Sequence, residues 1–192
     1  MFRALYDWTL RLAQHRHAMR SMAAVSFAES SFFPIPPDVM LVPMMLARRH
    51  QIWLIATVCT LASVAGAVFG YAIGYFLYET VGNWLINLYG LQEAAVEFRA
   101  EYERWGAAII LVLGITPIPY KLATIASGVA HFNLPLFILV SIIARGFRFF
   151  LLAGLIHLFG PPIQSFVEKR VNLLGTLFVI LLIGGFAVVS LV

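Results

Sequence analysis

Four long stretches of the sequence contain no aspartate, glutamate, lysine or arginine, and they constrain the fold more than any other feature. They are residues 50–78, 122–144, 149–167 and 171–192. A helix needs about 20 apolar residues to cross the hydrocarbon core of a bilayer. Hydrophobic residues make up 61% of the 192-residue chain and charged residues 11%, against about 45–50% and 25% in soluble domains. The sequence excludes a soluble globular domain and predicts an all-α polytopic membrane protein.

Three transmembrane helices are predicted from these stretches. Residues 52–78 and 171–192 predict uninterrupted spans. A third span is predicted over residues 134–157, and it carries Arg145 and Arg148 in its middle. We interpret these two arginines as a functional interruption of an otherwise apolar helix.

Two further apolar stretches are broken by Pro-x-Pro motifs. Proline lacks an amide donor and disfavours helix in the residue before it, so two prolines one residue apart end an α-helix. Broken backbone at membrane depth is tolerated only where protein or a wet cavity satisfies its polar groups. Residues 22–47 and 105–130 are therefore predicted re-entrant hairpins. Their breaks are at Pro34, Pro36, Pro117 and Pro119.

The two broken stretches form an internal repeat. A shift of 83 residues places the first Pro-x-Pro on the second and Asp38 on Lys121. Each hairpin precedes a span, which gives repeat units 22–78 and 105–158. If the N-terminus is cytoplasmic, basic residues concentrate on the inner side, as the positive-inside rule requires. The two units then have opposite orientations, which predicts an inverted repeat with a substrate site near the midplane.

Two polar segments are predicted to lie on the membrane surfaces. Residues 1–21 read as a basic amphipathic helix on the anionic inner leaflet. Residues 79–104 have glutamates at every fourth position over part of their length and predict an acidic helix on the outer surface.

Five ionisable residues fall inside the apolar segments and are the candidate functional residues. A charge at the bilayer centre costs about 2.5–3.5 kcal/mol on insertion scales. Two acids face three bases, and the surplus positive charge favours an anion such as a lipid phosphate, whose tail can stay in the bilayer. We predict Arg145, Arg148 and Lys121 as substrate-binding residues. Glu29 and Asp38 are the predicted proton carriers, and Asp38 is expected near Lys121.

A purely structural reading of the same charges remains open. Internal ion pairs would fix the geometry of the hairpins without binding any substrate.

The first span carries small residues at four-residue spacing. Gly66, Gly70 and Gly74 predict close packing with another helix. Tyr71 lies beside them, and we assign it a head-group contact as a further substrate-binding residue.

Other function classes have little support in the sequence. The single cysteine, Cys59, excludes an internal disulfide and cysteine-rich metal sites, and no metal or cofactor is predicted. No basic cluster suggests nucleic acid. The usual metalloprotease, serine hydrolase and intramembrane aspartyl motifs are absent, so no enzyme is predicted.

The motifs together resemble a known family. They are, in order, Glu29-x4-Pro34-x-Pro36-x-Asp38, Gly66-x3-Gly70-Tyr71-x2-Gly74, Thr116-Pro117-x-Pro119-Tyr120-Lys121 and Arg145-x2-Arg148-Phe149. This combination resembles the DedA family, also called the SNARE-associated Golgi protein or VTT-domain family, and most of all its short YqaA-type bacterial branch. The likeness covers roughly residues 25–160. The sequence departs from the commoner pattern at Gly114-Ile115-Thr116, where many members have Phe-x-Arg, and Lys121 supplies a cation nearby.

The resemblance implies a bacterial inner-membrane protein that supports envelope integrity and moves lipids between leaflets. It implies Glu29, Asp38, Arg145 and Arg148 as the functional positions. Undecaprenyl phosphate or a phospholipid is the implied substrate, with possible proton coupling. The alternatives are a phospholipid scramblase without coupling, a non-transporting scaffold and, with least support, an intramembrane enzyme. A homo-oligomer stays open.

Overall fold

The computed structural model of the protein describes residues 17–32, 37–116 and 118–160. Most of the predicted N-terminal helix (1–21), the predicted C-terminal span (171–192) and the proline breaks at Pro34, Pro36 and Pro117 lie outside these residues. The described chain consists of helices and turns and contains no β-strand.

Seven α-helices make up the described part of the chain. They are α1 (Ala18–Ser31), α2 (Asp38–Ala47), α3 (Ile52–Leu77), α4 (Asn83–Tyr89), α5 (Gln92–Ile115), α6 (Lys121–Val129) and α7 (Leu134–Gly160). A 3₁₀ turn, Arg49–Gln51, leads into α3, and a π-helical turn, Tyr78–Gly82, joins α3 to α4.

The helices end where the proline motifs stand. Helix α1 ends at Ser31, and α2 starts at Asp38, directly after Pro37. Helix α5 ends at Ile115, and Thr116, which precedes a proline, has the extended conformation that proline imposes on its predecessor. The chain thus forms two helical hairpins, α1–α2 and α5–α6.

The α1–α2 hairpin packs against the first half of α3. Ser26 donates to the Cys59 carbonyl, the Ser30 and Ser63 hydroxyls lie 2.7 Å apart, and Ser31 donates to the Gly66 carbonyl. These pairs advance together along both helices, so α1 and α3 run parallel. Helix α2 returns beside them, because its last residues share a core with the start of both α1 and α3.

Glycines in α3 allow both hairpins to approach closely. A Cβ on Gly66 would overlap the Phe27 carbonyl of α1, and one on Gly74 would overlap the Ile125 carbonyl of α6. A Cβ on Gly70 would meet the Thr124 hydroxyl of α6. All three glycines predicted to pack helices therefore lie at helix–helix contacts.

Helix α7 runs antiparallel to α3. At one end, Arg49 donates to the carbonyls of Ile156 and His157. At the other end, the Tyr71 hydroxyl donates to the Phe132 carbonyl just before α7. The two longest described helices, α3 and α7, therefore run in opposite directions. The α1–α2 hairpin lies at one end of this pair and the α5–α6 hairpin at the other.

Two of the described helices are long and apolar enough to cross a membrane. They are Arg49–Gly82 and Leu134–Gly160, with 34 and 27 residues, in agreement with the predicted spans 52–78 and 134–157. A 27-residue helix is about 40 Å long, against about 30 Å for a bilayer core. Both helices expose large apolar side chains, including Leu61, Phe76 and Leu139. A soluble monomer rarely exposes so much apolar surface.

The helix boundaries follow the 83-residue repeat. The shift carries the start of α2 at Asp38 onto the start of α6 at Lys121, and the start of α3 onto α7 within one residue. Helix α5 runs unbroken from Gln92 to Ile115, across the boundary predicted at residue 105. The acidic segment and the first arm of the second hairpin form one helix, since a change from charged to apolar side chains does not interrupt the backbone.

Candidate functional site

Four of the five predicted intramembrane charges form two ion pairs where the hairpins meet α7. The first pair joins Glu29 of α1 to Arg145 of α7, with 2.5 Å between the Arg145 Nη2 and a Glu29 carboxylate oxygen. Its side chains are 10% and 1% exposed. A charge so deeply buried requires both a partner and hydrogen bonds.

Polar groups from α1 itself and from two other segments surround this buried pair. The Arg145 Nε donates to the Ser63 hydroxyl at 2.6 Å, and the Ser30 hydroxyl donates to Glu29 at 3.2 Å. From the second hairpin, the Tyr120 backbone N–H faces the other Glu29 oxygen at 3.5 Å, and the Tyr120 ring lies 4.9 Å from the Arg145 guanidinium carbon. The Glu29–Arg145 pair therefore connects α1, α3, α7 and the second hairpin.

The second pair joins Asp38, the first residue of α2, to Arg148 of α7. Arg148 also donates to the Thr116 carbonyl at 2.5 Å, just before the second proline break. The Arg148 and Asp38 side chains are 19% and 26% exposed. This pair is thus more accessible than the Glu29–Arg145 pair one turn earlier on α7.

The accessible pair lies in the wall of a shallow cavity of about 330 Å³ that is open to the outside of the protein. Apart from Asp38 and Arg148, the cavity is lined by the apolar residues Val42, Ile115, Leu151, Leu152 and Leu155. A site with one guanidinium and an apolar surround matches a ligand with a phosphate at one end and a hydrocarbon chain beside it. The Asp38 carboxylate is already paired with the Arg148 guanidinium, so an incoming anion must compete with Asp38 for it.

Among the described residues, Lys121 is in neither of the two ion pairs. Its ammonium lies 3.5 Å from the Phe32 carbonyl, at the end of the first hairpin arm. Asp38, which is expected near Lys121, forms its ion pair with Arg148. The surplus positive charge predicted for the site therefore belongs to Lys121, because each arginine has its own carboxylate.

Tyr71 is assigned a head-group contact by the sequence, but its hydroxyl donates to the Phe132 carbonyl at 2.7 Å. It packs against Phe137, which is eight residues, or about 12 Å of helix, before Arg145. The Tyr71 side chain thus joins α3 to the start of α7.

Sequence reasoning missed Ser30, Ser63, Tyr120 and Thr116. The signal available for the serines was their position in apolar helices, where a hydroxyl needs a hydrogen-bond partner. Nothing in the spacing identifies that partner, because Ser30 and Ser63 are 33 residues apart.

A separate polar cluster lies at the C-terminal end of α3, away from the two ion pairs. The His131 Nε2 is 3.3 Å from a Glu79 oxygen and 3.5 Å from the Arg99 Nη2. Its ring stacks on Tyr75 at 4.5 Å, and Arg99 lies over the Tyr78 ring at 4.2 Å. Burial lowers the pKa of His131, and the Arg99 guanidinium lowers it further, while the Glu79 carboxylate opposes the shift. The neutral imidazole is thus favoured.

The described residues contain no group of three or more His, Cys, Asp or Glu side chains that could hold a metal ion. Within the described residues, the geometry is all-helical, with two apolar spans, two hairpins that meet at their ends, and paired charges between them.

Comparison with known proteins identifies the family. The VTT-domain model matches residues 34–158. The chain is 34% identical over 181 residues to an uncharacterized protein of Haemophilus influenzae, covering 94% of each chain. It is 33% identical over 183 residues to an uncharacterized protein of Histophilus somni, covering 95% of each. No solved structure matches. The chain belongs to the VTT-domain, or DedA, family, whose members are associated with membranes.

Proposed function

We propose that this protein is a multi-pass transporter of the bacterial inner membrane that moves an anionic lipid phosphate between leaflets and supports envelope integrity. Undecaprenyl phosphate is the leading substrate, and a phospholipid is the second. The observation that carries this proposal is the partly exposed Asp38–Arg148 pair in the wall of an apolar cavity.

Two physical features of the cavity favour a lipid over a soluble anion. The wall around Arg148 is aliphatic, so a small hydrated ion would lose its water without replacement. A lipid keeps its chain in the bilayer and offers only its phosphate to the guanidinium. Proton coupling belongs to the same proposal, since protonation of Asp38 would release Arg148 for the phosphate.

The membrane topology is also part of the proposal. Helices α3 and α7 cross in opposite directions, and the two hairpins enter from opposite faces and end near the middle of α3. The matching helix boundaries, 83 residues apart, support an inverted repeat. The lipid phosphate would cross where the hairpin ends meet.

A transport assay with a matched control tests this function. Purified protein in liposomes is given a fluorescent polyprenyl phosphate, the same polyprenol without phosphate, or a fluorescent phosphatidylethanolamine, with and without a pH gradient. We expect the phosphate to exchange leaflets faster than in protein-free liposomes. Arg148→Gln should abolish the exchange. Arg104→Gln should preserve it, because Arg104 is an exposed cation beside Trp105.

Each other outcome of this assay has a definite meaning. No movement of any lipid by folded protein under the gradient contradicts the proposal. Phospholipid movement that ignores the gradient indicates uncoupled scrambling, and release of inorganic phosphate indicates an enzyme.

A scaffold without transport is the second candidate, because both arginines are already neutralised by carboxylates. It predicts that a protein carrying Asp38→Asn and Arg148→Gln together rescues a strain lacking the gene. The transporter predicts no rescue by this protein, although it is folded and inserted.

A further inference from the structure

The buried pair belongs to a closed ring of hydrogen bonds, which we call the polar ring. Its members are Glu29, Ser30, Ser63 and Arg145. The Arg145 Nε contacts Ser63, Ser63 contacts Ser30, Ser30 contacts Glu29, and Glu29 contacts the Arg145 Nη2. As whole residues, Ser30, Ser63 and Arg145 are at most 1% exposed and Glu29 is 8% exposed.

The direction of each hydrogen bond in the polar ring follows from donor chemistry. An arginine only donates, so the Ser63 oxygen accepts from Arg145. A carboxylate only accepts, so Ser30 uses its one proton on Glu29. At the contact between the two serines, Ser63 is then the donor. Every hydrogen in the ring points towards Glu29, and each hydroxyl proton is used once.

The polar ring connects elements that have no covalent connection near the site. Ser63 lies on α3, Ser30 on α1 and Arg145 on α7. The Ser30 carbonyl also accepts from the Thr124 hydroxyl of α6, at 3.0 Å. The Ser63 side chain therefore links α1 to the helix that carries Arg148, and the Ser30 backbone links α1 to the second hairpin.

We propose that Ser63 is a positioning residue. It holds Glu29 and Arg145 in a permanent ion pair that connects the hairpins to α7, and we call this connection the joint. Proton binding is then confined to Asp38, and binding of the lipid phosphate to Arg148. Glu29 acts as a structural anion here, although the sequence predicts it as a proton carrier. The transport consequence of this inference rests on the proposed function, whereas the existence of the joint does not.

A double-mutant cycle on melting temperature tests the joint without any transport measurement. Ser63→Ala and Glu29→Gln are each expected to lower the melting temperature. The protein with both substitutions should melt close to Glu29→Gln alone, because Ser63 stabilises the protein through the charged Glu29–Arg145 pair, which Glu29→Gln has already removed. Ser26→Ala combined with Glu29→Gln is the control. Ser26 donates to the Cys59 carbonyl outside the ring, so its effect should add to that of Glu29→Gln.

Strictly additive effects of Ser63→Ala and Glu29→Gln would overturn the joint. If Ser63→Ala alone prevents folding, Ser63→Cys replaces it in the cycle, because a thiol keeps the shape of the side chain but is a weaker hydrogen-bond acceptor. The same coupling is expected in reduced size.

The transport assay tests the positioning role itself. Ser63→Ala should lower the maximal rate of polyprenyl phosphate exchange about tenfold, the factor for about one charge-assisted hydrogen bond. The half-saturating concentration should stay within about twofold, since Arg148 is untouched. Ser26→Ala should change neither quantity by more than about twofold. A raised half-saturating concentration for Ser63→Ala, or a rate loss no larger than that of Ser26→Ala, would contradict the role.

The two kinds of failure are distinguishable. Coupled melting temperatures in a protein that moves no lipid would keep the joint and refute the proposed function. Additive melting temperatures in a protein that does move lipid would refute the joint alone.

Discussion

Glu29→Gln and Asp38→Asn each remove the negative charge of one ion pair, and the two substitutions should lower the free energy of unfolding by different amounts. Glu29→Gln removes the charge that balances Arg145, whose side chain is 1% exposed. Breaking a buried pair by removing one partner costs about 3–5 kcal/mol, because the other charge stays buried without compensation. Asp38→Asn acts on a pair that is 19% and 26% exposed. Because this pair is partly exposed, its loss should cost about 1 kcal/mol, less than the loss of the buried pair, and Arg148 keeps its bond to the Thr116 carbonyl.

These free energies convert to a clear difference in thermal stability. For a chain of this size, 1 kcal/mol corresponds to about 2–4 °C in melting temperature. We expect Glu29→Gln to lower the midpoint by about 6–20 °C in detergent and Asp38→Asn by less than about 4 °C. Glu93→Gln makes the same chemical change on an exposed glutamate of α5 and is the control. Equal melting-temperature shifts for Glu29→Gln and Asp38→Asn would refute the distinction between a buried and an accessible pair. A Glu29→Gln shift no larger than that of Glu93→Gln would refute it as well.

Two further predictions concern packing and pH. Gly74→Ala should destabilise the protein by about 1–3 kcal/mol, because the added Cβ overlaps the Ile125 carbonyl. Gly154→Ala, with no atom within 4 Å of the new Cβ, should not lower the melting temperature. Because folding lowers the pKa of His131, its contribution to stability is complete above its unfolded pKa of about 6.5 and is lost as the pH falls below that value. The melting temperature should therefore fall on acidification through this range, and the fall should be smaller in His131→Gln; an equal fall in both proteins would contradict the role of His131.

The helical class and the positions where helices end could be predicted from the sequence, because both depend on local chemistry. Charge-free runs mark the two described spans, and proline determines where α1 and α5 end. The start of α5 could not be predicted in the same way. Charge composition changes near residue 105, but no residue there prevents the helix from continuing.

The partners within the site could not be predicted from spacing. The repeat pairs Asp38 with Lys121 in sequence, whereas in the structure Asp38 meets Arg148 from a different helix. That choice depends on the rotation of α7 and on the close approach permitted by Gly66 and Gly74. Both are properties of packing between helices, which the sequence pattern does not encode locally.

Protection of a cysteine in the wall of the cavity beside Asp38 and Arg148 tests most directly whether this cavity receives a lipid phosphate. Leu155→Cys places a thiol in the cavity wall, while Leu139→Cys places one on the exposed face of the same helix. Native Cys59 is buried. Each protein is treated with a membrane-permeant maleimide together with polyprenyl phosphate or polyprenol. We predict that the phosphate slows labelling at position 155, that the alcohol does not, and that position 139 responds to neither. Equal labelling at position 155 with and without the phosphate would contradict the account.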